Sequence, residues 1–463
     1  MSWRQRMADA LQVERRVQAP LLVAALLRIA LMVAAFAITG TTVMTQGDTA
    51  SYLNPGRNLI LHGAFATAGA PEIDRTPGYP LFAEITGMAW NNVLLTVTIQ
   101  IALSLISLLL VRRIADRIFP NRNAGIVAAW LYTIEPLSIV YTARLMPETL
   151  FILLLLLAID RMLAYQSSGK LTVLALTGLS LAAATYVRPV SYYLVFPFAA
   201  GLAMITTKHG SLRWKAPLLL LIVVLPLLAA WQLRNFEETG YSGFSSIVEK
   251  NLYFFQSAEV TAELRHISLE SEQKTLGYPE DKYYLGAHPE QRSWSQSQRL
   301  HFMRAQATKT LAAHPGLYLQ THFAGMGLVA FTPCATELLQ LIGKYPPSDA
   351  MPHRILNEGI LNSTWRVILS HPTVAITMAI LEGFLLFLYG SAMRSAIRGC
   401  LSPGSPNSLR PALLTIAGVA LYFLLISGGA QAVGRYRLPV MPELCILAAG
   451  GLTLSRKKKT AEP

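Results

Sequence analysis

The sequence predicts an all-α integral membrane protein, a polytopic bundle of about 10–11 transmembrane helices. Two observations lead to this fold class. Of the 463 residues, 53% are hydrophobic and only 14% are charged, and the apolar residues fall in long blocks without amphipathic periodicity. A bilayer core of roughly 30 Å needs about 20 apolar residues per helix. Blocks of this kind recur along the whole chain, which excludes a conventional soluble core.

Ten apolar blocks are candidate membrane spans. The first, Pro20 to about Thr42, follows four arginines and lacks the short apolar region and small-residue cleavage site of a signal peptide. We therefore expect an uncleaved first helix, in which Arg28 snorkels or pairs with another helix. The spans are predicted near residues 20–42, 93–111, 124–142, 147–163, 171–187, 190–207, 216–233, 373–391, 411–427 and 438–455.

The basic residues orient these spans. If each block crosses once, twenty basic residues lie on one side, against four in the short loops opposite. Lys and Arg are retained in the cytoplasm during insertion, so both termini are predicted to be cytoplasmic. The net charge of +13 is explained in this way, and the scattered clusters exclude the shared basic face that nucleic acid requires. The three cysteines match no metal or redox spacing.

Three regions follow from this pattern. Residues 1–233 form an N-terminal transmembrane module with a first outer loop, 43–92, in which residues 51–62 suit a short interfacial helix. Residues 234–372 contain a polar run too long for a simple connection, which predicts a small extracytoplasmic cap. Their apolar stretch 316–342 is predicted to be interfacial or re-entrant. Residues 373–463 form the C-terminal transmembrane helices.

Ionisable residues at the outer helix ends are the candidates for chemistry, because lipid penalises unpaired charge. They are predicted to line one outer cavity. Guanidinium groups bind phosphate through paired hydrogen bonds, and a carboxylate can take the proton of an attacking hydroxyl. The set therefore suits a lipid-phosphate substrate in which the phosphate is the leaving group and a hydroxyl attacks. Its members are Asp48, Arg75, Glu148, Arg188, Arg234, Arg435 and Arg437.

Most of these residues also have a purely structural alternative. Asp48 follows the first helix and could cap the next one, while Arg75 precedes Thr-Pro and could start a turn. Glu148 lies in the first turn of a helix, where a carboxylate favours the dipole. The arginines at the other helix ends could be interfacial anchors that snorkel to headgroups.

At these positions the chain resembles the GT-C glycosyltransferases, in particular the branch with protein O-mannosyltransferases and bacterial aminoarabinose transferases. The ordered set of short motifs carries the resemblance, since each motif alone is weak. In chain order they are GDTASYL (Gly47 to Leu53), RNLILHGAF (Arg57 to Phe65), RTPGYPLF (Arg75 to Phe82), RLMPETLF (Arg144 to Phe151), YVRP (Tyr186 to Pro189), WQLRN (Trp231 to Asn235), NLYFF (Asn251 to Phe255), HPGLYL (His314 to Leu319) and RYRLPVMP (Arg435 to Pro442).

The resemblance implies a GT-C-like bundle and an inverting membrane glycosyltransferase with a polyprenyl-phosphate sugar donor. Carried over by motif, Asp48 is the catalytic carboxylate and general base, and Glu148 is the second acidic residue of the site. The expected substrate-binding residues, several of them ligands of the carrier phosphate, are Tyr52, Arg75, Tyr79, Arg188, Arg234, Arg435 and Arg437.

The same resemblance implies an active site on the periplasmic face of a bacterial inner membrane. The acceptor is expected to be a hydroxyl of an envelope glycan such as lipopolysaccharide, of a lipid or of a protein. The loop after Gly47 carries no second acid beside Asp48, so no cofactor is certain, and a divalent metal remains an option. The alternative function, from another class, is a transporter or flippase that holds a phosphorylated polyprenyl lipid in the same basic cavity.

Overall fold

The computed structural model describes residues 3–45, 47–120, 123–204, 214–345, 365, 369, 372–401 and 409–453. The α-helices, numbered in chain order, are α1 (Trp3–Thr39), α2 (Thr49–His62), α3 (Gly78–Thr86), α4 (Val93–Ile118), α5 (Ala124–Thr133), α6 (Pro136–Thr142), α7 (Glu148–Ser168), α8 (Leu171–Val187), α9 (Val195–Met204), α10 (Lys215–Thr239), α11 (Ile247–Asn251), α12 (Ala258–Arg265), α13 (Leu269–Thr275), α14 (Asp281–Ala287), α15 (Gln296–Ala313), α16 (Pro315–Phe331), α17 (Ala335–Leu341), α18 (Pro372–Leu401), α19 (Leu409–Ile426) and α20 (Met441–Thr453).

Short irregular elements join these helices. A two-stranded antiparallel hairpin, β1 (Ala66–Thr67) and β2 (Ala70–Pro71), lies in the first outer loop. The turn of π-helix is Leu252–Ser257. The 3₁₀ turns are Val43–Thr45, Met88–Trp90, Pro189–Leu194, Pro289–Gln291 and Gly434–Val440.

The ten predicted apolar blocks are helical over most of their described residues, which confirms the all-α membrane class. Within the described residues, five helices are long and apolar enough to cross a bilayer, or six if one bent pair is a single span. These five are the main parts of α1, α4, α10, α18 and α19. The other blocks correspond to helices that are shorter, such as α8 and α20, or largely buried in the bundle, such as α7.

The predicted span 124–142 is the bent pair. Helices α5 and α6 meet at 56°, and the break falls where Pro136 begins α6. The carboxylate of Glu135 caps α6 by accepting the backbone N–H groups of Leu137 at 2.9 Å and Ser138 at 2.6 Å. Proline at the first helical position and an acidic cap are strong start signals. A second helix therefore begins inside the apolar block.

Helix α7 lies at the centre of the bundle, packed against α4 and α8. Its side chains Phe151, Leu156 and Ile159 are fully buried. The arginine inside α1 serves helix pairing: Arg28 is buried and donates to Ser104 of α4 at 2.9 Å and to the carbonyl of Thr133 in α5 at 3.4 Å. An unpaired guanidinium would be costly at this depth, so these bonds fix α1 against its neighbours.

The polar run expected to form a cap folds into short helices with an apolar cluster of their own. Residues from the π-helical turn and from α14 and α15 form this cluster, together with Ile73 of the first outer loop. The cap thereby packs directly on that loop. Residues 316–342, expected to be interfacial or re-entrant, form α16 and α17 with a break at Thr332–Cys334.

Two close backbone approaches hold the first outer loop in place. A Cβ atom at Gly78 would lie 2.6 Å from the carbonyl oxygen of Tyr186, and one at Gly56 would lie 2.8 Å from that of Pro80. The start of α3 therefore touches the end of α8, and α2 touches α3. Only glycine permits this packing without moving backbone.

We expect Gly78→Ala to destabilise the protein by about 1–3 kcal/mol, because the added methyl group collides with backbone rather than with a mobile side chain. The measurement is thermal unfolding of purified protein in detergent. The matched control is Gly418→Ala, a helical position in α19 with open space around the added Cβ. Equal unfolding temperatures for the two variants would contradict the tight α3–α8 contact.

Candidate active site

Asp48 lies in a sharp turn between α1 and α2. Gly47 before it has a φ of +69°, a left-handed conformation that favours glycine. Although Asp48 occupies the N-cap position of α2, its side chain makes no capping hydrogen bond. Its carboxylate instead faces two guanidinium groups, with Oδ1 3.6 Å from Nη2 of Arg75 and Oδ2 accepting a hydrogen bond from Nη2 of Arg435. Capping therefore does not explain this residue.

The side chain of Asp48 is 37% exposed, and those of Arg75 and Arg435 are 16% and 21% exposed. Burial raises the pKa of the Asp48 carboxyl, but Arg435 and Arg75 outweigh burial and hold this pKa below its usual value. The carboxylate is therefore ionised at neutral pH and open to solvent on one side.

Arg75 is held by the beginning of α2. Its Nε donates to the hydroxyl of Ser51 at 3.0 Å and its Nη1 to the hydroxyl of Tyr52 at 3.1 Å. The guanidinium also lies over the Tyr52 ring, 4.3 Å from the centroid, a favourable cation–π arrangement. Because Tyr52 is one helical turn beyond Asp48, α2 presents both the carboxylate and the platform for its arginine partner.

Two acidic residues before Arg75 shape its loop. Glu72 accepts the backbone N–H groups of Asp74 at 2.7 Å and Arg75 at 2.9 Å. Asp74 accepts hydrogen bonds from Lys250 at 2.6 Å and from the hydroxyl of Ser246. Burial raises the pKa of Asp74, but Lys250 and Ser246 lower it further than burial raises it. The loop is thus locked internally by Glu72 and to the cap by Asp74.

Arg435 reaches the site from the 3₁₀ turn that precedes α20. A Cβ at Gly434 would lie 2.8 Å from the carbonyl of Thr332, so this turn passes close to the end of α16. The Nε of Arg435 is buried and has no hydrogen-bond partner in the described part of the chain. An N–H group left open beside an exposed carboxylate is a ready donor for a bound anion.

Glu148 and Arg188 form an ion pair of their own near the group of Asp48, Arg75 and Arg435. Oε1 of Glu148 is 3.0 Å from Nη1 of Arg188, while its buried Oε2 has no hydrogen-bond partner among the described residues. The Glu148–Arg188 pair also interacts electrostatically with the Asp48 group, because the charge of Arg188 affects Asp48 and the charge of Glu148 affects Arg435. The structure therefore brings both predicted carboxylates and three predicted arginines into one cluster.

Tyr79 lies buried behind Tyr52, next to this cluster. It is completely buried, its ring meets that of Tyr52 edge to face at 5.5 Å, and its hydroxyl donates to Gln100 at 2.9 Å. Gln100 in turn donates to the carbonyls of Thr142 at 3.2 Å and Arg144 at 2.7 Å. Tyr79 thus links α3 to α4 and to the loop before Glu148.

Arg234 and Arg437 make other contacts. Arg234 donates to the carbonyls of Glu72 at 2.7 Å and Phe65 at 2.8 Å, on either side of the β-hairpin. Arg437 is buried and donates to the carbonyls of Val329 at 2.6 Å and Ala330 at 2.8 Å at the end of α16. Both satisfy backbone carbonyls, so the structure places them in supporting positions and not beside Asp48.

Sequence reasoning missed three groups near the site: Glu72, Asp74 and Tyr278. The first two directly precede Arg75, and two acids beside a candidate arginine were the available signal. Tyr278 belongs to the cap, yet its phenol interacts electrostatically with Asp48 and Arg75, and its ring packs 5.4 Å from that of Phe254. No local sequence pattern connects it with residues more than 200 positions away.

The residues around Asp48 do not fit a divalent metal ion. Its carboxylate oxygens face Arg435 and Arg75, and positive charge in both directions repels a cation. Among the described residues, no group of three His, Cys, Asp or Glu side chains is placed to hold a metal. A divalent metal ion would need oxygen ligands, but both carboxylate oxygens of Asp48 are paired with arginines.

The fold is similar to that of archaeal oligosaccharyltransferases. The structure of oligosaccharyltransferase AglB from Archaeoglobus fulgidus in complex with an inhibitory peptide and a dolichol-phosphate superposes with a TM-score of 0.51 at 12% identity, covering 97% of this chain and 50% of that one. The Archaeoglobus fulgidus enzyme tethered to an acceptor peptide containing the NVT sequon gives 0.51 at 12% identity, covering 94% and 49%. This chain spans about half the length of those proteins.

The fold is that of a multi-pass membrane protein and is similar to that of the GT-C oligosaccharyltransferases. Residues 74–232 match the family model described as dolichyl-phosphate-mannose-protein mannosyltransferase, a stretch that includes Arg75, Glu148 and Arg188. Both findings agree with the resemblance seen in the motifs: the family match covers about a third of the chain, and the fold is similar to that of the oligosaccharyltransferases. A search of curated proteins finds no match.

Arg234→Gln tests the position of this arginine. Since its guanidinium bonds to the carbonyls on both sides of the hairpin, we expect a loss of about 1–3 kcal/mol in stability, measured as a lower unfolding temperature in detergent. The matched control is Arg292→Gln on the exposed surface of the cap. An Arg234 variant as stable as the wild type, but with weaker lipid-phosphate binding, would make this residue a ligand instead of a support.

Proposed function

We propose that the protein is a membrane glycosyltransferase that moves a sugar from a polyprenyl-phosphate carrier to a hydroxyl acceptor. The observation that carries the proposal is the carboxylate of Asp48, exposed on one side and flanked by Arg75 and Arg435. The ionised carboxylate can accept a proton, and the two arginines beside it can bind a phosphate. The family match and the GT-C fold support this reaction class.

In the proposed reaction, Asp48 accepts the proton of the acceptor hydroxyl while the hydroxyl oxygen forms a bond to the anomeric carbon. The bond from that carbon to the carrier phosphate oxygen breaks, and the electron pair leaves with the phosphate. Attack opposite the leaving group inverts the anomeric configuration. Arg75 and Arg435 stabilise the negative charge of the departing phosphate, which reduces the need for a general acid.

The charge balance of the cluster favours a bound anion. Glu148 and Arg188 neutralise each other, whereas Asp48 is shared by two arginines. One positive charge is therefore in excess, and the buried Nε of Arg435 is an open donor. A carrier phosphate would take this donor and compete with Asp48 for both guanidiniums, which frees the carboxylate to act as a base.

The free Oε2 of Glu148 suits the recognition of a sugar. A buried carboxylate oxygen with no partner among the described residues is expensive, and a sugar hydroxyl is a natural donor to it. Tyr278 of the cap interacts electrostatically with Asp48, so we propose that the acceptor enters next to the cap. The distribution of basic residues favours a non-cytoplasmic site, and the resemblance implies the periplasmic face of a bacterial inner membrane.

Asp48→Asn is expected to leave the protein folded and to lower sugar transfer by about 100-fold or more, as general-base contributions usually do. The assay supplies membranes containing the variant with polyprenyl-phosphate carriers, each linked to one radiolabelled sugar, and measures label incorporated into envelope components. The matched control is Asp281→Asn, an exposed acid in the cap, which should retain wild-type transfer.

Transfer at the wild-type rate by Asp48→Asn would remove Asp48 from its role. The same membranes also distinguish the glycosyltransferase hypothesis from the transporter hypothesis. If the labelled carrier moves between leaflets with its sugar still attached and no transfer product forms, the protein is a flippase. Product mass identifies the sugar and the class of acceptor.

The pH dependence provides an independent test of the arginine–carboxylate contact. Arg435 lowers the pKa of Asp48, so Arg435→Gln should raise that pKa. The acid limb of the pH profile of kcat/KM is then expected to move to higher pH, because Asp48 protonates earlier as the pH falls. Arg435→Lys keeps the positive charge and should leave the limb near its wild-type position. An unmoved acid limb in the glutamine variant would contradict Asp48 as the titrating base.

A further inference from the structure

A second arginine cluster lies on the second half of α7, away from Glu148. Asp160, twelve residues further along and hence about 18 Å away along the helix, is fully buried. Its carboxylate faces three arginines, with Oδ1 3.2 Å from Nε of Arg113 and 2.9 Å from Nε of Arg117, and Oδ2 accepting Nε of Arg161 at 3.0 Å. One buried acid thus gathers three guanidinium groups at one place.

An open surface site, which we call the groove, lies beside this cluster along one face of α4. Its lining contains three arginines and one acid: Leu109, Arg112, Arg113, Asp116 and Arg117. The acid pairs with Arg112 at 3.6 Å and accepts the backbone N–H of Gly125 at 3.1 Å. The lining therefore has an excess of positive charge, and Arg113, whose side chain is 52% exposed, directs part of this charge outward.

The groove continues directly into an apolar stripe. Ile106 and Leu109 are 46% and 39% exposed, and they precede Arg113 by seven and four residues. This spacing places the three side chains on one face of α4. Further along the same face lies Leu95, which is 40% exposed. An aliphatic stripe that ends at a cluster of arginines matches the two halves of an amphiphile.

We propose that this groove binds the phosphate headgroup of an anionic phospholipid, with an acyl chain along Ile106 and Leu109. Arg112 and Arg113 supply the phosphate donors, and Asp160 holds Arg113 and Arg117 in position from inside the bundle. Basic pockets at the ends of transmembrane helices bind anionic headgroups in this way. The site is separate from the Asp48 cluster, and the proposal does not depend on the reaction performed there.

The apolar stripe favours a phospholipid over a free anion. A soluble phosphate would use only the arginines, and its affinity would be the same with or without Leu109. A phospholipid also gains from apolar contact along the helix, at about 25 cal/mol per Å² of apolar surface removed from solvent. The structure therefore predicts that both the headgroup charge and the acyl chains contribute.

The test is native mass spectrometry of the full-length protein in detergent, titrated with phosphatidylglycerol or with phosphatidylcholine of the same acyl chains. The wild type should bind the anionic lipid more tightly. The double variant Arg112→Gln/Arg113→Gln should bind phosphatidylglycerol about 30-fold more weakly, since each of the two basic residues contributes on the order of 1 kcal/mol. Phosphatidylcholine binding should not change, and Arg292→Gln in the cap is the matched control.

Asp116→Asn provides a change of opposite sign. The asparagine oxygen can still accept the N–H of Gly125, but the groove loses a negative charge. We expect phosphatidylglycerol to bind about three- to fivefold more tightly, an effect that misfolding would not produce. Unchanged or weaker binding by this variant would overturn the proposal.

Two further outcomes would also overturn it. Equal affinity of the wild type for phosphatidylglycerol and phosphatidylcholine would show that the arginines bind no headgroup charge. Equal binding of phosphatidylglycerol and soluble glycerophosphate would show that the groove is a site for free anions and that the stripe plays no part. Lower affinity for phosphatidylglycerol in Leu109→Asn, with glycerophosphate binding unchanged, is the result expected for a phospholipid site.

Discussion

The sharing of one carboxylate by two arginines is the interaction on which the outer site depends. Asp48, Arg75 and Arg435 come from the first loop and from the turn before the last helix, up to 387 positions apart. Placing two guanidiniums beside one acid in a half-buried site is unfavourable unless something offsets the remaining positive charge. A bound phosphate meets this requirement. Under the proposed function, the cluster is the part of an ion network that the carrier phosphate completes.

The rest of the outer region fixes the positions of these three residues. Thr49, next to Asp48, donates to the carbonyl of Leu145, and the N–H of Leu145 donates to the carbonyl of Met44. These bonds join the turn of Asp48 to the loop that begins α7. On the other side, Lys250 of the cap binds Asp74 and so ties the cap to the loop of Arg75. Such a frame suits positioned catalysis, in which small displacements are costly.

The sequence allowed the helical blocks and the grouping of Asp48, Arg75, Glu148, Arg188 and Arg435 to be predicted, because apolar length and charge at helix ends are local properties. It did not reveal which arginines support the backbone. Arg234 and Arg437 bond to carbonyls left open by a hairpin and by the break after α16, and such breaks are known only once the fold is known. The bend between α5 and α6 was readable from Glu135 and Pro136, whereas the Asp74–Lys250 pair joins residues 176 positions apart.

The two halves of α7 show how one motif serves two purposes. Each half has a buried acid paired with arginine, Glu148 in the first turn and Asp160 about two turns before the last residue. Asp160 is surrounded by three arginines and both of its oxygens are ion-paired, so it organises charge for a surface groove. Glu148 has a single arginine partner among the described residues and a free buried oxygen. An acid ion-paired through both oxygens positions other groups, whereas one ion-paired through a single oxygen can still accept a donor, and this difference separates the proposed chemical end of the bundle from its proposed lipid-binding end.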